Sequence, residues 1–167
     1  MPAASARSRT TASARSAGAE RSARRNRPDP ADRDGQNGAD KLGTVTARID
    51  ELLELARARL QRVEPTDLAV EVAAGALVVD IRPDHYRADE GELPGALVLE
   101  RNVLEWRLDP TSDASLPEAG EGRRVILFCN DGYASSLAAV SLIDLGLADA
   151  TDLAGGYRAW RKALNGR

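Results

Sequence analysis

Val125–Leu145 reads VILFCNDGYASSLAAVSLIDL, and this stretch decides the architecture. Val125-Ile126-Leu127-Phe128 is an unbroken apolar run bounded by polar residues. A run of that length reads as a strand buried on both faces of a parallel sheet. The run ends at Cys129. Asn130-Asp131-Gly132-Tyr133-Ala134 then form a short loop into Ser135, and Ser136–Leu145 has helical composition. Gly146 suits the position just past a helix, because it takes the left-handed conformation without a Cβ penalty.

Moving outward, Leu77-Val78-Val79-Asp80-Ile81 is a second buried strand after Gly75. Ala96–Leu99 and Ala150–Leu153 are two further short strands. The segment RPDHYRADEGELPG between the first two strands reads as a long polar loop, and Asp109–Gly122 as another. Asn102–Leu108 forms a helical turn or two. A last helix runs from about Tyr157 to Leu164, after Gly155-Gly156. Ahead of all these, Leu42, Val45, Ile49, Leu52, Leu53, Ala56, Leu60 and Val63 recur at helical spacing. They predict an amphipathic helix over 42–62, ended by Pro65. A shorter helix should follow, with Pro65 at its first position and Gly75 after its last. Helices alternate with short buried strands, so the expected class is α/β with a mainly parallel sheet.

Composition narrows the function classes. The chain has 167 residues and a net charge of −3, 43% of it hydrophobic, which suits one ordinary core. Residues 1–28 hold seven Arg and one Glu, so the body that follows is acidic. That balance argues against nucleic acid as a partner of the domain. Residues 1–40, rich in Ser, Ala, Arg, Gly, Asp and Pro, lack apolar periodicity and read as a disordered tail. The tail shares its composition with organelle transit peptides, but it lacks the apolar core of a secretory signal. Residues 41–167 are then the folded domain. No stretch reaches the ~20 apolar residues of a membrane span. One cysteine and one histidine, His85, are too few for a metal centre, and no phosphate-binding glycine motif occurs. No cofactor is expected. A lone cysteine permits no internal disulfide and fits a reducing, cytoplasmic setting.

Cys129 is the candidate for chemistry. In an open parallel sheet, ligands bind beyond the carboxyl ends of the strands, and Cys129 ends one. If the loop Asn130–Ser135 curls round the sulfur, with Gly132 left-handed, its N–H groups form an anion-binding nest. The helix that follows adds unpaired N–H groups and the positive end of its dipole. All of these stabilise a thiolate. Spacing alone also permits a cysteine that simply packs as a small apolar side chain.

Four segments now resemble one family in order: LVVDIRP (Leu77–Pro83), GELPGALVL (Gly91–Leu99), the Cys129 strand, loop and helix, and DLAGGYRAW (Asp152–Trp160). From Glu64 to Leu164 the chain resembles a single-domain rhodanese. The resemblance implies a five-stranded parallel sheet flanked by helices. It also implies a sulfurtransferase in which the Cys129 thiolate takes a sulfane sulfur from thiosulfate, a persulfide or a polysulfide. A thiol or cyanide acceptor then removes it from the Cys129 persulfide. The N–H groups of Asn130, Asp131, Gly132, Tyr133, Ala134 and Ser135 would hold the outer sulfur. Many thiosulfate-using members carry an Arg five positions after the cysteine, where this chain has Ala134. Asp131 would repel an anionic donor if it faces the site. Glu92 stands where the family has a histidine, a structural position.

Asp80 and Arg82 match the family's Asp-x-Arg turn. Arg82 either leans toward the loop to supply a positive charge or forms a structural ion pair with Asp80. His85 is read as a solvated loop residue rather than a base for Cys129. Ser135 and Ser136 are read as helix caps, with Ser135 able to touch the persulfide. Trp106 and Trp160 are expected in the core or at its edge. Two other functions stay open. A phosphatase or arsenate reductase would need an Arg six positions after the cysteine, where Ser135 stands. A non-catalytic regulatory module would engage a protein partner. Helix 42–62 is expected to pack on its own domain, with a homodimer contact as the alternative.

Overall fold

The computed structural model describes residues 47–120 and 122–166, so the expected tail over 1–40 lies outside the described residues. Four strands form one parallel sheet: β1 (Leu77–Asp80), β2 (Leu97–Val98), β3 (Val125–Phe128) and β4 (Ala150–Asp152), in the order β2-β1-β3-β4. β1 and β3 pair residue for residue, Leu77 with Val125 through Asp80 with Phe128. Both are buried along their whole length. Alternate residues feed two cores. Val79, Val125, Leu127 and Cys129 join Leu104, Leu108 and Leu142 on one face. Val78, Ile126 and Phe128 join Leu68, Leu93, Leu153 and Tyr157 on the other. Burial on both faces is why the strands read as unbroken apolar runs.

The sheet has four strands, not five. Where an outer fifth strand would lie, Val63 makes a single bridge to Leu153. Its N–H donates to the Asp152 carbonyl at 2.9 Å, and its own carbonyl accepts from Ala154 N–H at 2.8 Å. Pro65 has no N–H to continue the ladder. The same bridge corrects the helix expected over 42–62. α1 spans only Arg48–Arg57, because the chain must extend by Val63 to reach β4. Residues 42–46 of that expected helix lie outside the described residues.

α2 (Leu68–Ala73) starts three residues after Pro65 and precedes Gly75, whose φ is +96°. The polar segment after β1 is not all loop: Asp84–Glu90 form α3. This helix buries none of its residues, so it leaves no apolar periodicity to read. A 3₁₀ turn at Arg101–Val103 and α4 (Leu104–Leu108) follow β2. α5 (Ala134–Leu145) connects β3 to β4 and buries Ala138, Ala139 and Leu142. Gly146 ends it at φ +113°. α6 (Gly156–Asn165) closes the domain. Trp160 packs at the edge of a core, but Trp106 is 62% exposed, contrary to its expected packing.

Candidate active site

The strand-to-helix connection after β3 is pinned by its carbonyls. Tyr157 N–H donates to the Cys129 carbonyl at 2.8 Å and Arg158 N–H to the Asn130 carbonyl at 3.1 Å. The Gly132 carbonyl receives Arg57 Nη2 at 3.1 Å, Arg62 Nη2 at 3.4 Å and lies 2.9 Å from Ser136 Oγ. Among the described residues, no backbone N–H from Asn130 through Ser136 donates a hydrogen bond. In a trans peptide the N–H points opposite to the carbonyl it is bonded to. Carbonyls turned onto α6 and the two arginines therefore direct the next N–H groups, of Asn130, Asp131 and Tyr133, away from those anchors. Unpaired N–H groups grouped beside a sulfur can cradle an anion, and those of Ala134, Ser135 and Ser136 are the free first-turn donors of α5.

Two glycines permit this packing. Gly132 has φ +75°, and a Cβ there would sit 3.0 Å from both Arg62 Nη2 and Gly155 N. Gly156, at φ +62°, passes so close that a Cβ would lie 2.5 Å from the Cys129 carbonyl oxygen.

Cys129 itself is 8% exposed. Its Sγ lies 3.4 Å from Ser135 Oγ. Ser135 and Ser136 are fully buried and do not cap α5, whose N-cap is Tyr133 without a side-chain bond. Both hydroxyls turn instead to Asp152 Oδ2, at 3.3 Å from Ser135 and 2.7 Å from Ser136. Asp152 is 0% exposed, at the end of β4. Arg62 holds its two oxygens at 2.8 and 3.0 Å.

The remaining expected residues divide around the loop. Tyr133, 59% exposed, lies under the Arg57 guanidinium, 5.4 Å from ring centre to cation. Ala134 is exposed beside it. Asp131 does not stand unpaired: Arg158 grips it at 2.8 Å and Glu90 at 2.5 Å. Glu90 also accepts from Asn130 Nδ2 at 3.3 Å. These bonds, Arg158 foremost, hold the Glu90 carboxyl below its ordinary range against a smaller effect of burial, and raise Arg158 further above its own. Arg82 takes the ion-pair arrangement. It lies fully buried on Asp80 at 2.7 Å, donates to the Gly91 carbonyl at 2.9 Å and stacks 3.8 Å from the Tyr157 ring centre. His85 is exposed against Tyr86.

Asp152, Arg57, Arg62, Glu90 and Arg158 were not singled out from sequence. For Asp152 a signal existed: a carboxylate inside a short buried strand must have a cation or donors beside it. For Arg62 none did: it ends the expected helix 42–62, and no local pattern marks its bond to a residue 90 positions away.

Comparison with known proteins bears on the fold and on one region of the chain. Residues 64–163 match the model of the rhodanese-like domain. Over 101 residues the chain is 31% identical to the thiosulfate sulfurtransferase GlpE of Stutzerimonas stutzeri, covering 60% of this chain and 84% of that one. It is 37% identical over 84 residues to the adenylyltransferase and sulfurtransferase MOCS3-2 of Zea mays. That match takes in half of this chain but only 17% of the maize protein. Among solved structures, a Rhodopseudomonas palustris protein of unknown function, described as a possible tyrosine phosphatase, superposes with a TM-score of 0.64 at 29% identity. It covers 74% of this chain and 96% of its own. With its parallel sheet, its cysteine at the end of β3 and its match over 64–163, the chain belongs to the rhodanese-like domain family.

Proposed function

We propose that the protein is a sulfurtransferase that carries sulfane sulfur on Cys129. The thiolate attacks the outer sulfur of a donor, the donor's S–S bond breaks, and its electron pair leaves with the residual group. A thiol or cyanide acceptor then attacks the outer persulfide sulfur and regenerates the Cys129 thiolate. The observation that carries this reading is, among the described residues, the run of unpaired N–H groups from Asn130 to Ser136, beginning next to Cys129, a buried residue that keeps 8% exposure. An anionic outer sulfur suits those donors, and hydrogen bonds to charged acceptors are about twice as strong as neutral ones. The likeness to the Stutzerimonas thiosulfate sulfurtransferase supports the same class.

Singly charged persulfides and neutral organic polysulfides fit as donors better than thiosulfate. Thiosulfate is a dianion, and the cations that touch the loop are already engaged: Arg158 by Asp131 and Glu90, Arg62 by Asp152, and Arg57 by Glu54. A phosphatase is disfavoured by the same electrostatics. At the sixth position after the cysteine stands a buried hydroxyl, Ser135, where a guanidinium would be needed against phosphate. We place the activity in the domain expected over residues 41–167, with no cofactor.

Sulfur-transfer assays with a panel of sulfane donors and thiol acceptors test the reading. Cys129→Ser should lose transfer with every donor while keeping its thermal midpoint. Retained transfer in that variant would refute the proposal.

A further inference from the structure

Arg62 precedes the family-matched span of residues 64–163, yet its guanidinium is built into the support of the loop. It donates Nε to Asp152 Oδ1 and Nη2 to Asp152 Oδ2. Asp152 is fully buried, and one of its oxygens is a single hydroxyl away from the sulfur. Ser135 Oγ lies 3.3 Å from Asp152 Oδ2 and 3.4 Å from Cys129 Sγ. Left unpaired, that carboxylate would do two things. It would draw the Ser135 proton to itself, and it would oppose any negative charge on Cys129 across a medium that screens poorly. Arg62 supplies two short donors and Ser136 a third at 2.7 Å, so the carboxylate is satisfied without the longer bond from Ser135.

We infer that Arg62 is a positioning residue: by holding and neutralising Asp152, it frees the Ser135 hydroxyl to donate to an anionic Cys129 sulfur. The segment ahead of the family-matched span is then part of the active site. The inference rests on Cys129 as the sulfur carrier, but its test needs no sulfur donor.

The other charges around the sulfur leave Arg62 without a substitute. From α1, Arg57 pairs with Glu54, donates to the Gly132 carbonyl and lies over the Tyr133 ring. Arg158 of α6 is held by Asp131 and Glu90, and Arg82 beyond β1 by Asp80, with Glu90 at 4.0 Å. The Asp152 hydrogen bonds, with help from Glu64, hold Arg62 above its ordinary pKa despite burial. It stays charged while a thiol titrates.

The sole cysteine makes the experiment clean. Iodoacetamide alkylation of Cys129 is followed against pH in the full chain for the wild type, Arg62→Lys, Arg62→Gln, Asp152→Asn and the Arg62→Gln/Asp152→Asn double variant, with thermal midpoints alongside. Arg62→Gln should raise the alkylation midpoint and slow the reaction at neutral pH about tenfold. Arg62→Lys should stay near the wild type, and Asp152→Asn should move the midpoint below it. The double variant should return close to the wild-type profile, because the charge that opposed the thiolate has gone with its partner. A purely structural Arg62 would lower thermal midpoints and leave the alkylation profiles superimposed. That result, or a double variant no nearer the wild type than Arg62→Gln, overturns the inference. If Arg62→Gln does not fold, a profile for Asp152→Asn that matches the wild type overturns it. Wild-type protein that accepts sulfur from no donor would sink the sulfurtransferase reading and leave these profiles standing.

Discussion

Ala134 is a methyl group at the first turn of α5, exposed beside Tyr133 and one residue before the buried Ser135. A guanidinium at that position would stand at the mouth of the loop, where the sulfonate oxygens of thiosulfate must approach. Ala134→Arg should therefore raise kcat/KM for thiosulfate about tenfold, the scale of one charge-assisted contact to an anion. Transfer from a neutral polysulfide should change little. Steady-state assays with both donors check this, and equal thiosulfate rates in the two proteins would contradict the geometry. At this scale the sequence was informative about type and poor about partners. Cys129, its loop and the Asp80–Arg82 pair were legible because they fall within local motifs. The Asp152–Arg62 bond was not, since it joins residues 90 positions apart.

At the scale of elements, the loop is only as well placed as the turn beneath it. Gly155 and Gly156 both have positive φ, and α6 donates its first two free N–H groups to the loop carbonyls from there. In Gly156→Ala the new methyl would stand 2.5 Å from the Cys129 carbonyl oxygen, against backbone that cannot rotate aside. The left-handed backbone adds strain of about 1–3 kcal/mol. The variant should unfold at lower denaturant by about 2 kcal/mol or more, and should lose sulfur transfer more steeply than stability. Unchanged activity in a destabilised protein would mean that the loop's seat is not what keeps the site competent. The strands were readable because burial on both faces makes them uniformly apolar, and α5 because Gly146 stops it. α3 is not legible because it buries nothing, and α1 is shorter than the periodicity predicts. Leu60 and Val63 keep helical spacing with α1, yet Val63 is recruited by a strand 90 residues later. Periodicity cannot report a tertiary pairing that overrides it.

Across the whole molecule, charge sets the acid limit. Hydrogen bonds from Arg158, Arg59 and Thr111 hold Glu90, Asp144 and Asp109 below their ordinary pKa values. For Glu105 burial is the largest single influence and pushes its carboxyl up, but the Ser141, backbone and Arg101 bonds together hold it low. A carboxyl with a depressed folded-state pKa stabilises the fold above its unfolded pKa of about 4, and loses that contribution as pH falls through the folded value. Thermal midpoints should thus be level from about pH 6 to 8 and fall below about pH 4.5. A midpoint that rises on acidification would contradict this. The fold class and the order of the domain followed from alternating buried strands and helices, whereas the number of strands did not. A one-residue bridge carries no pattern of its own.

The account stands on sulfur held covalently at one atom. Intact-protein mass spectrometry after exposure to a polysulfide, followed by peptide mapping, reads this directly. The account predicts a gain of one sulfur, localised to Cys129, discharged by a small thiol and absent in Cys129→Ser. Protein that stays at its native mass with every sulfane donor, while Cys129 still reacts with iodoacetamide, would contradict it.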